Sequence, residues 1–110
     1  MQGAEYVNIY IIGSVKYMRD IEMCAEYYHM NGFNVTHVKP EPDKDLEDLI
    51  VEAYKNIYNT DFVVIVTKPD DTIGEGTLYE KKFAEYQHKS IITIDNDHKK
   101  KIIRRMEEMK

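Results

Sequence analysis

The chain has 110 residues and a mass of 13.0 kDa, with 43% hydrophobic and 32% charged residues. This is the size of a single domain, and the apolar content excludes an intrinsically disordered chain. Lys and Arg number 15 against 20 Asp and Glu, for a formal net charge of −5 and a pI near 5.3, which argues against non-specific binding of nucleic acid.

The single cysteine, Cys24, excludes an intramolecular disulfide and a cysteine-based zinc site. The apolar runs are far shorter than the roughly 20 residues that cross a bilayer. Met1–Tyr6 lacks the basic segment and apolar segment of a secretory signal. We therefore expect a soluble cytoplasmic protein without membrane association.

Short, nearly continuous apolar runs alternate along the chain with segments of helical spacing. The runs predict buried parallel strands, listed in chain order as Val7–Ile12, a weaker Phe33–Val38, Phe62–Val66 and Ser90–Ile94. Helices are predicted over Met18–Met30, Leu46–Tyr58, Gly76 to about His88, and roughly Asp97–Met109. The alternation predicts one α/β domain over residues 1–110, with three layers and a parallel sheet of four to five strands. We expect a flavodoxin-like strand order, 2-1-3-4.

Local signals mark the ends of the first two helices. Asp45, or Asp43 before it, is a plausible N-cap of the second helix, and Gly32 after Asn31 is a plausible C-cap of the first. Cys24 lies on the apolar face of the first helix without a basic partner, so we expect it in the core.

The loop after the first strand, Gly13–Asp20, is one of two loops that should flank a ligand crevice at the carboxyl edge of the sheet. Gly13 and Ser14 offer close backbone approach and free N–H groups, and Lys16 and Arg19 add positive charge. An anion or ribose site is one interpretation. A tight turn that needs glycine for steric reasons is the other.

The second loop that should flank the ligand crevice is Thr67–Thr77, which follows the third strand. Its candidate substrate-binding residues, with the start of the following helix, are Asp70, Asp71, Gly74, Gly76, Thr77 and Tyr79. Thr77 and Glu80 have the spacing of a capping box, which is the structural interpretation. The functional interpretation places the Glu80 carboxylate in the crevice.

Four segments together resemble the nucleoside 2-deoxyribosyltransferase superfamily, which includes 2′-deoxynucleoside 5′-monophosphate N-hydrolases. They are Tyr10-Ile-Ile-Gly13-Ser14, Thr60-Asp61-Phe-Val-Val-Ile-Val-Thr67-x-Pro69, Gly74-x-Gly76-Thr77-x-Tyr79-Glu80-x-x-x-Ala84 and Lys89-Ser-Ile-Ile. The similarity runs from about Tyr6 to Ile94. Each motif is loose alone, and the shared order makes the match more specific.

The resemblance implies a mechanism with Glu80 as the nucleophile that attacks C1′ of a ribosyl or deoxyribosyl unit and forms a covalent glycosyl-enzyme. Water or a second base would then release the sugar. The resemblance also implies that Asp61 lies near the sugar and leaving base, that Tyr10 orients the nucleophile, and that Gly13 and Ser14 hold the 5′ end. It implies no metal and no organic cofactor.

Three features depart from the family pattern. Lys82 stands where relatives carry a small glycine, and Ala53 or Tyr54 stands near the place of an acidic residue late in the second helix. The chain also stops soon after the fourth helix, whereas many relatives have a fifth strand and complete the site with a neighbouring subunit. We expect a homodimer or larger assembly, because many aromatic residues lie on the helices.

Other polar and aromatic residues receive mainly structural interpretations. His37 ends the second strand without companions for a metal site. Tyr27, Tyr28, Tyr54 and Tyr58 are expected in packing or in a dimer interface, and the basic run Lys99–Lys101 with Arg104 and Arg105 is expected on a solvated helix face rather than on nucleic acid.

The leading hypothesis is cleavage of the N-glycosidic bond of a nucleoside or nucleoside 5′-monophosphate, with hydrolysis of the monophosphate favoured over transfer. The alternative is a non-catalytic nucleotide-binding or sensing module of the same fold. A response-regulator-like domain is a third and weaker hypothesis, because the first strand ends in Tyr10-Ile11-Ile12-Gly13 rather than in acidic residues.

Overall fold

The computed structural model describes residues 6–110, which form a four-stranded parallel sheet with helices on both faces. The strands are β1 (Asn8–Gly13), β2 (Asn34–His37), β3 (Phe62–Val66) and β4 (Ser90–Ile94). The helices are α1 (Met18–Met30), α2 (Leu46–Asn59), α3 (Glu75–Tyr86) and α4 (Asn96–Glu108). Residues 1–5, which carry most of the segment examined for a secretory signal, lie outside the described residues.

The predicted strand order is confirmed. The sheet has the order β2-β1-β3-β4, and all three pairings are parallel. Tyr10 pairs with Val63 and Gly13 with Val66, so β1 and β3 end together at the centre of the carboxyl edge. The chain therefore has the predicted three-layer α/β flavodoxin-like fold, with its switch point between β1 and β3.

Two apolar clusters hold the helices onto the sheet, because neighbouring residues of a strand point to opposite faces. Ile9 and Ile11 pack with α1 and α4, whereas Tyr10 and Ile12 pack with α2 and α3. Cys24 is fully buried in the first cluster, as predicted. Burial raises the pKa of its thiol to about 12, so this cysteine stays a neutral thiol.

The ends of α1 and α2 follow the predicted signals. Asp45 caps α2 by accepting a hydrogen bond of 2.9 Å from the Asp48 N–H. Asn31 is the C-cap residue of α1, and Gly32 after it has a left-handed backbone conformation with φ 91°. The Gly32 N–H donates to the His29 carbonyl and the Phe33 N–H to the Tyr28 carbonyl, which is a Schellman motif.

The capping-box interpretation of Thr77 is wrong. Helix α3 begins at Glu75 after Gly74, and no side chain caps it. Thr77 is the third residue of the helix and is buried. The helix also ends at Tyr86, earlier than predicted, because His88 takes a positive φ of 56°. A short 3-10 turn at Val15–Tyr17, which the sequence pattern did not indicate, precedes α1.

The expectation of a fully solvated basic face on α4 is wrong at Lys99, which is only 6% exposed. Its amine donates to the Asp20 carboxylate at 3.1 Å, the Thr67 carbonyl at 2.6 Å and the Asn96 side-chain oxygen at 3.0 Å. One buried cation therefore connects α1, α4 and the end of β3, and three acceptors offset the cost of its burial.

Candidate active site

Two cavities meet at the carboxyl edge of the sheet, on the face covered by α2 and α3. The polar cavity, of about 340 Å³, is lined by Tyr10, Gly13, Val15, Thr36, His37, Val38, Lys39, Pro40, Glu41, Leu49, Glu52, Ala53, Asn56 and Glu80. The apolar cavity, of about 640 Å³, is lined by Leu46, Leu49, Ile50, Ala53, Tyr54, Glu75, Gly76, Tyr79 and Glu80. Leu49, Ala53 and Glu80 line both, so the cavities share a wall at Glu80.

Glu80 is the titratable residue at this junction. It lies in the second turn of α3 and is half-buried. Burial raises the pKa of its carboxyl group to about 7. No hydrogen bond among residues 6–110 involves this carboxylate. Glu80 is therefore divided between acid and carboxylate near neutral pH and faces open space, which suits a nucleophile or a proton donor.

Tyr10 lines the polar cavity with Glu80. It is 3% exposed, and its hydroxyl lies near the Asn56 side chain. Burial and the negative charge of Glu80 raise the pKa of the Tyr10 hydroxyl far above its usual value. The hydroxyl thus remains protonated, and the structure brings together Tyr10 and Glu80 as the sequence predicted.

Asp61 lines neither cavity. It precedes β3, at the amino edge of the sheet, and its carboxylate accepts a hydrogen bond of 2.8 Å from the Asn8 N–H. The five residues of β3 separate it from the carboxyl edge, a distance of roughly 16 Å at about 3.3 Å per residue. The resemblance implies that Asp61 lies beside the sugar, whereas the structure places it at the edge opposite the crevice, where parallel strands begin.

Gly13 lines the polar cavity, and its neighbours also require a glycine there. A Cβ at Gly13 would stand 2.9 Å from the Val66 carbonyl oxygen and 3.3 Å from the Ile21 Cδ1. The steric interpretation of Gly13 is therefore confirmed, and its role in binding an anion or a ribose stays a prediction. Ser14 follows as the N-cap of the 3-10 turn, with its carbonyl bonded to the Tyr17 N–H and its side chain free of any capping bond.

Lys16 and Arg19 are exposed and line neither cavity. The Lys16 amine lies 6.0 Å from the centre of the Tyr17 ring. The predicted cationic binding end is thus outside the cavities, although both residues border the loop that follows Gly13.

Asp70 and Asp71 have structural partners in their loop. The Asp70 carboxylate accepts hydrogen bonds from the Thr72 N–H at 3.1 Å and the Thr72 hydroxyl at 2.6 Å, and these bonds lower its pKa. Asp71, at φ 65°, accepts from the Asn96 N–H at 2.9 Å. Neither carboxylate lines either cavity, so the structure gives both residues a role in holding the loop, and their role in substrate binding stays a prediction.

The residues around the start of α3 divide between the two cavities and the core. Gly76 and Tyr79 line the apolar cavity, and Tyr79 is 56% exposed. Gly74 precedes the helix, and a Cβ at either glycine would meet no atom within 4 Å. Thr77 points into the core instead. The open space beside Gly76 adjoins the apolar cavity.

The sequence analysis missed the contribution of α2. Glu52 and Asn56 line the polar cavity one helical turn apart. The Lys44 amine hydrogen-bonds to Glu52 and lies 3.2 Å from the Glu41 carboxylate, and the Lys44 bond lowers the pKa of Glu52. Their spacing with Leu49 and Ala53 follows one face of a helix, which was the available signal.

Three further residues singled out in the sequence lie near the two cavities. Lys82 is exposed, beside the Tyr79 ring, and does not crowd either cavity. Tyr54 stacks on Phe83 with ring centres 4.1 Å apart, so it has the predicted packing role. His37 lines the polar cavity, and its Nδ1 lies 2.8 Å from the Val38 carbonyl oxygen.

Within residues 6–110, no group of three or more His, Cys, Asp or Glu side chains is arranged to hold a metal ion. None of the helices in the same part of the chain has both the length and the apolar character needed to cross a membrane.

The fold is similar to that of a solved enzyme. No protein-family model and no curated protein matches the chain. A 2-desoxiribosyltransferase from Leishmania mexicana matches in structure with a TM-score of 0.60 and 19% sequence identity. The match covers 81% of this chain and 64% of the enzyme, so this chain spans less than two thirds of its length. The chain therefore has a nucleoside 2-deoxyribosyltransferase-like fold.

Proposed function

We propose that this protein cleaves the N-glycosidic bond of a nucleoside or nucleoside 5′-monophosphate through a covalent bond between C1′ and Glu80. The observation that carries the proposal is the half-buried Glu80 carboxylate at the junction of two cavities, at the carboxyl edge of the sheet. The likeness to the solved 2-desoxiribosyltransferase supports the same class of chemistry.

The proposed reaction uses Glu80, Tyr10 and the lining of the apolar cavity. The ionised Glu80 carboxylate attacks C1′ as the bond to the base breaks, through a transition state with positive charge on the sugar ring. The neutral Tyr10 hydroxyl is a hydrogen-bond donor next to the carboxylate. The apolar cavity, with Leu46, Ile50 and Tyr79, accommodates a flat aromatic base.

The charge balance of the polar cavity bears on whether the 5′ end of the substrate is a hydroxyl or a phosphate. The polar cavity carries the carboxylates of Glu41, Glu52 and Glu80 against one ammonium, Lys39, on its wall. The lining is therefore mainly anionic. Lys16 and Arg19, the cations that were expected to bind a 5′-phosphate, lie outside the cavity, so the structure does not favour a monophosphate. A nucleoside with a free 5′-hydroxyl suits the lining at least as well.

The second candidate is a nucleotide-binding module without turnover. Two observations favour it: Asp61 lies at the edge of the sheet away from the cavities, and Ala53 lines both cavities near the position where the resembled family carries an acidic residue. Such a module would keep the cavities and bind its ligand without breaking a bond.

The test is a chromatographic assay of purified protein with ribo- and deoxyribonucleosides and their 5′-monophosphates, with and without an acceptor base. Glu80→Gln keeps the shape of the side chain and removes the nucleophile, so we expect base release to fall by at least about 10³-fold. Glu85→Gln, an exposed change on the same helix, is the matched control and should behave as the unmodified protein.

The outcomes separate the two candidates. Base release by the unmodified protein and by Glu85→Gln, but not by Glu80→Gln, supports the glycosidic reaction. Ligand-induced thermal stabilisation without base release from any compound supports the binding module. Equal base release by the unmodified protein and Glu80→Gln contradicts the role of Glu80.

A further inference from the structure

Asn56 lies between the polar cavity and a smaller cavity on the amino-edge side of Tyr10. The smaller cavity has a volume of about 150 Å³ and is lined by Asn8, Ile9, Tyr10, Thr36, Asn56, Asn59 and Thr60. Tyr10, Thr36 and Asn56 line both spaces, so these three side chains separate them. Asn56 comes from α2 and is half-buried, and Tyr10 is the one titratable residue in the lining of the smaller cavity.

Two other polar side chains of the smaller cavity have partners away from Tyr10. The Asn59 amide donates to the backbone carbonyl one helical turn earlier at 2.9 Å, and the Thr60 hydroxyl donates to the Asn8 carbonyl at 2.9 Å. The Asn56 side chain instead forms a hydrogen bond with the Tyr10 hydroxyl, and this bond favours the ionised form of the phenol. Such an effect is that of an amide N–H that donates to the phenol oxygen.

The Asn56 amide constrains the direction in which the Tyr10 proton points. A tyrosine hydroxyl has one proton to donate and lone pairs that accept. When the Asn56 amide donates to a lone pair, the Tyr10 proton has to turn away from Asn56 to another acceptor. The hydroxyl therefore accepts on the side of α2 and is left to donate into the polar cavity.

Glu80 is the acceptor that is free to receive this proton. Three carboxylates face the Tyr10 hydroxyl, those of Glu80 on α3, Glu52 on α2 and Glu41 in the loop before α2, and Glu80 has the largest effect on it. Glu41 and Glu52 both pair with Lys44. No hydrogen bond among residues 6–110 involves the Glu80 carboxylate, which lines the same cavity as the hydroxyl.

We propose that Asn56 is a positioning residue that directs the Tyr10 proton at the Glu80 carboxylate, an inference that rests on the proposed function. The hydrogen bond from Tyr10 holds the carboxylate in place for its attack on C1′. It stabilises the carboxylate again when the ester bond to C1′ breaks and the electron pair returns to Glu80. Without Asn56 the hydroxyl rotates more freely, so part of this stabilisation is lost in every turnover.

Direct contact with the substrate is the competing role for Asn56, because its side chain also borders the polar cavity. The two roles differ in how the effect of Asn56 depends on Tyr10. A positioning residue has no further effect on catalysis once the Tyr10 hydroxyl has been removed. A residue that touches the sugar keeps its own effect in that background.

The experiment is a double-mutant cycle on base release, with Asn56→Leu, Tyr10→Phe and the double variant. We expect Tyr10→Phe to lower kcat about 10–100-fold and Asn56→Leu about 3–10-fold, the sizes typical of hydrogen bonds to charged and to neutral groups. The double variant should match Tyr10→Phe alone, and KM should change little. Asn59→Leu, the same substitution at the neighbouring amide of the smaller cavity, is the control and should match the unmodified protein.

A second variant reverses the direction of the hydrogen bond. Asn56→Asp keeps the shape of the side chain, but at pH 8 its carboxylate accepts the Tyr10 proton and donates nothing to the phenol oxygen. Its kcat should therefore fall as far as that of Tyr10→Phe, and further than that of Asn56→Leu. The NMR signal of the Tyr10 Cζ carbon, assigned with Tyr10→Phe, should shift in both Asn56 variants and stay in place in Asn59→Leu.

The outcomes distinguish a failure of this inference from a failure of the proposed function. An unchanged kcat in Asn56→Leu, losses that add in the double variant, or an unmoved Tyr10 signal would each overturn the role of Asn56. Absence of base release from the unmodified protein would overturn the proposed function, and this inference with it. The NMR signal keeps the two failures apart, because it reports the contact between Asn56 and Tyr10 without any turnover.

Discussion

Gly13 is confined between the backbone of β3 and a side chain of α1. A methyl group there would stand 2.9 Å from the Val66 carbonyl oxygen, which belongs to a paired strand and cannot move freely. We predict that Gly13→Ala lowers the free energy of unfolding by about 1–3 kcal/mol, as overpacking does. Urea denaturation measures it. Gly76→Ala, where a Cβ meets nothing within 4 Å, is the control and should be neutral or slightly stabilising.

The pKa of Glu80 predicts a pH dependence of stability. The folded state binds the Glu80 proton more tightly than the unfolded chain, with a pKa of about 7 against 4.5. The contribution of Glu80 to the free energy of unfolding therefore falls as pH rises from 4.5 to 7. Glu80→Gln should be more stable than the unmodified protein at pH 8, by about 1–3 kcal/mol after allowance for partial solvent exposure.

The difference between these two proteins should disappear near pH 4, where Glu80 is protonated in both states. Thermal or urea unfolding across this range measures it, and the subtraction removes the titration of the other carboxylates. Glu85→Gln should follow the unmodified protein at every pH. A stability difference that is constant from pH 4 to pH 8 would show that Glu80 is not shielded from water.

Which residues form the site could be predicted only in part. Glu80 and Tyr10 were found through the motif resemblance, and the cavities bring them together. The position of Asp61 could have been predicted, because a residue that precedes a parallel strand lies at the edge opposite the carboxyl ends. Glu52 and Asn56 were missed, since helical spacing shows that they share a face but not which cavity that face borders.

At the scale of elements, Lys99 links α1, α4 and the end of β3. Lys99→Met would leave the Thr67 carbonyl without this partner and the Asp20 carboxylate without its counter-ion. We predict a loss of about 1–3 kcal/mol, limited by the water that still reaches Asp20. Chemical denaturation is the measurement. Lys100→Met, the exposed neighbour, should change stability little, and an equal loss in both variants would contradict the special role of Lys99.

The elements themselves followed the sequence closely, because continuous β-branched runs and helical spacing are strong signals in a parallel α/β domain. The errors lay at helix ends, where single residues decide the geometry. Thr77 had the spacing of a cap, but the backbone turns into α3 two residues earlier. Lys99 shares its spacing with the buried Ile102 and Met106, a signal that the surrounding basic run obscured.

At the scale of the whole molecule, the strand order 2-1-3-4 could be predicted from right-handed crossovers and alternating strands and helices. The oligomeric state depends instead on which side chains the surface exposes. Leu46 and Ile50 on α2 and Tyr79 on α3 are 73%, 43% and 56% exposed around the apolar cavity. Exposed apolar side chains grouped in this way are typical of a surface that another protein covers. We predict that the exposed rim of this cavity is the interface of a homodimer, with the space for the base enclosed between the two subunits.

Ile50→Glu would place a charge in this interface, so we expect it to shift the protein toward monomer. Sedimentation velocity at several concentrations measures the change. Ile103→Glu makes the same substitution at a residue of similar exposure on α4, in the opposite layer, and should leave assembly intact. A monomer for the unmodified protein at all concentrations would contradict the prediction.

Helix α2 buries a single residue, Ile57 near its end, although it supplies a wall to both cavities. Local unfolding of its amino-terminal turns therefore exposes little buried apolar surface, whereas the central strands are buried on both faces. Amide protons of Leu49 and Ala53 should exchange with deuterium through a local opening that costs less free energy than unfolding of the sheet. A bound sugar would close that opening, so ligand binding would register there as slowed exchange.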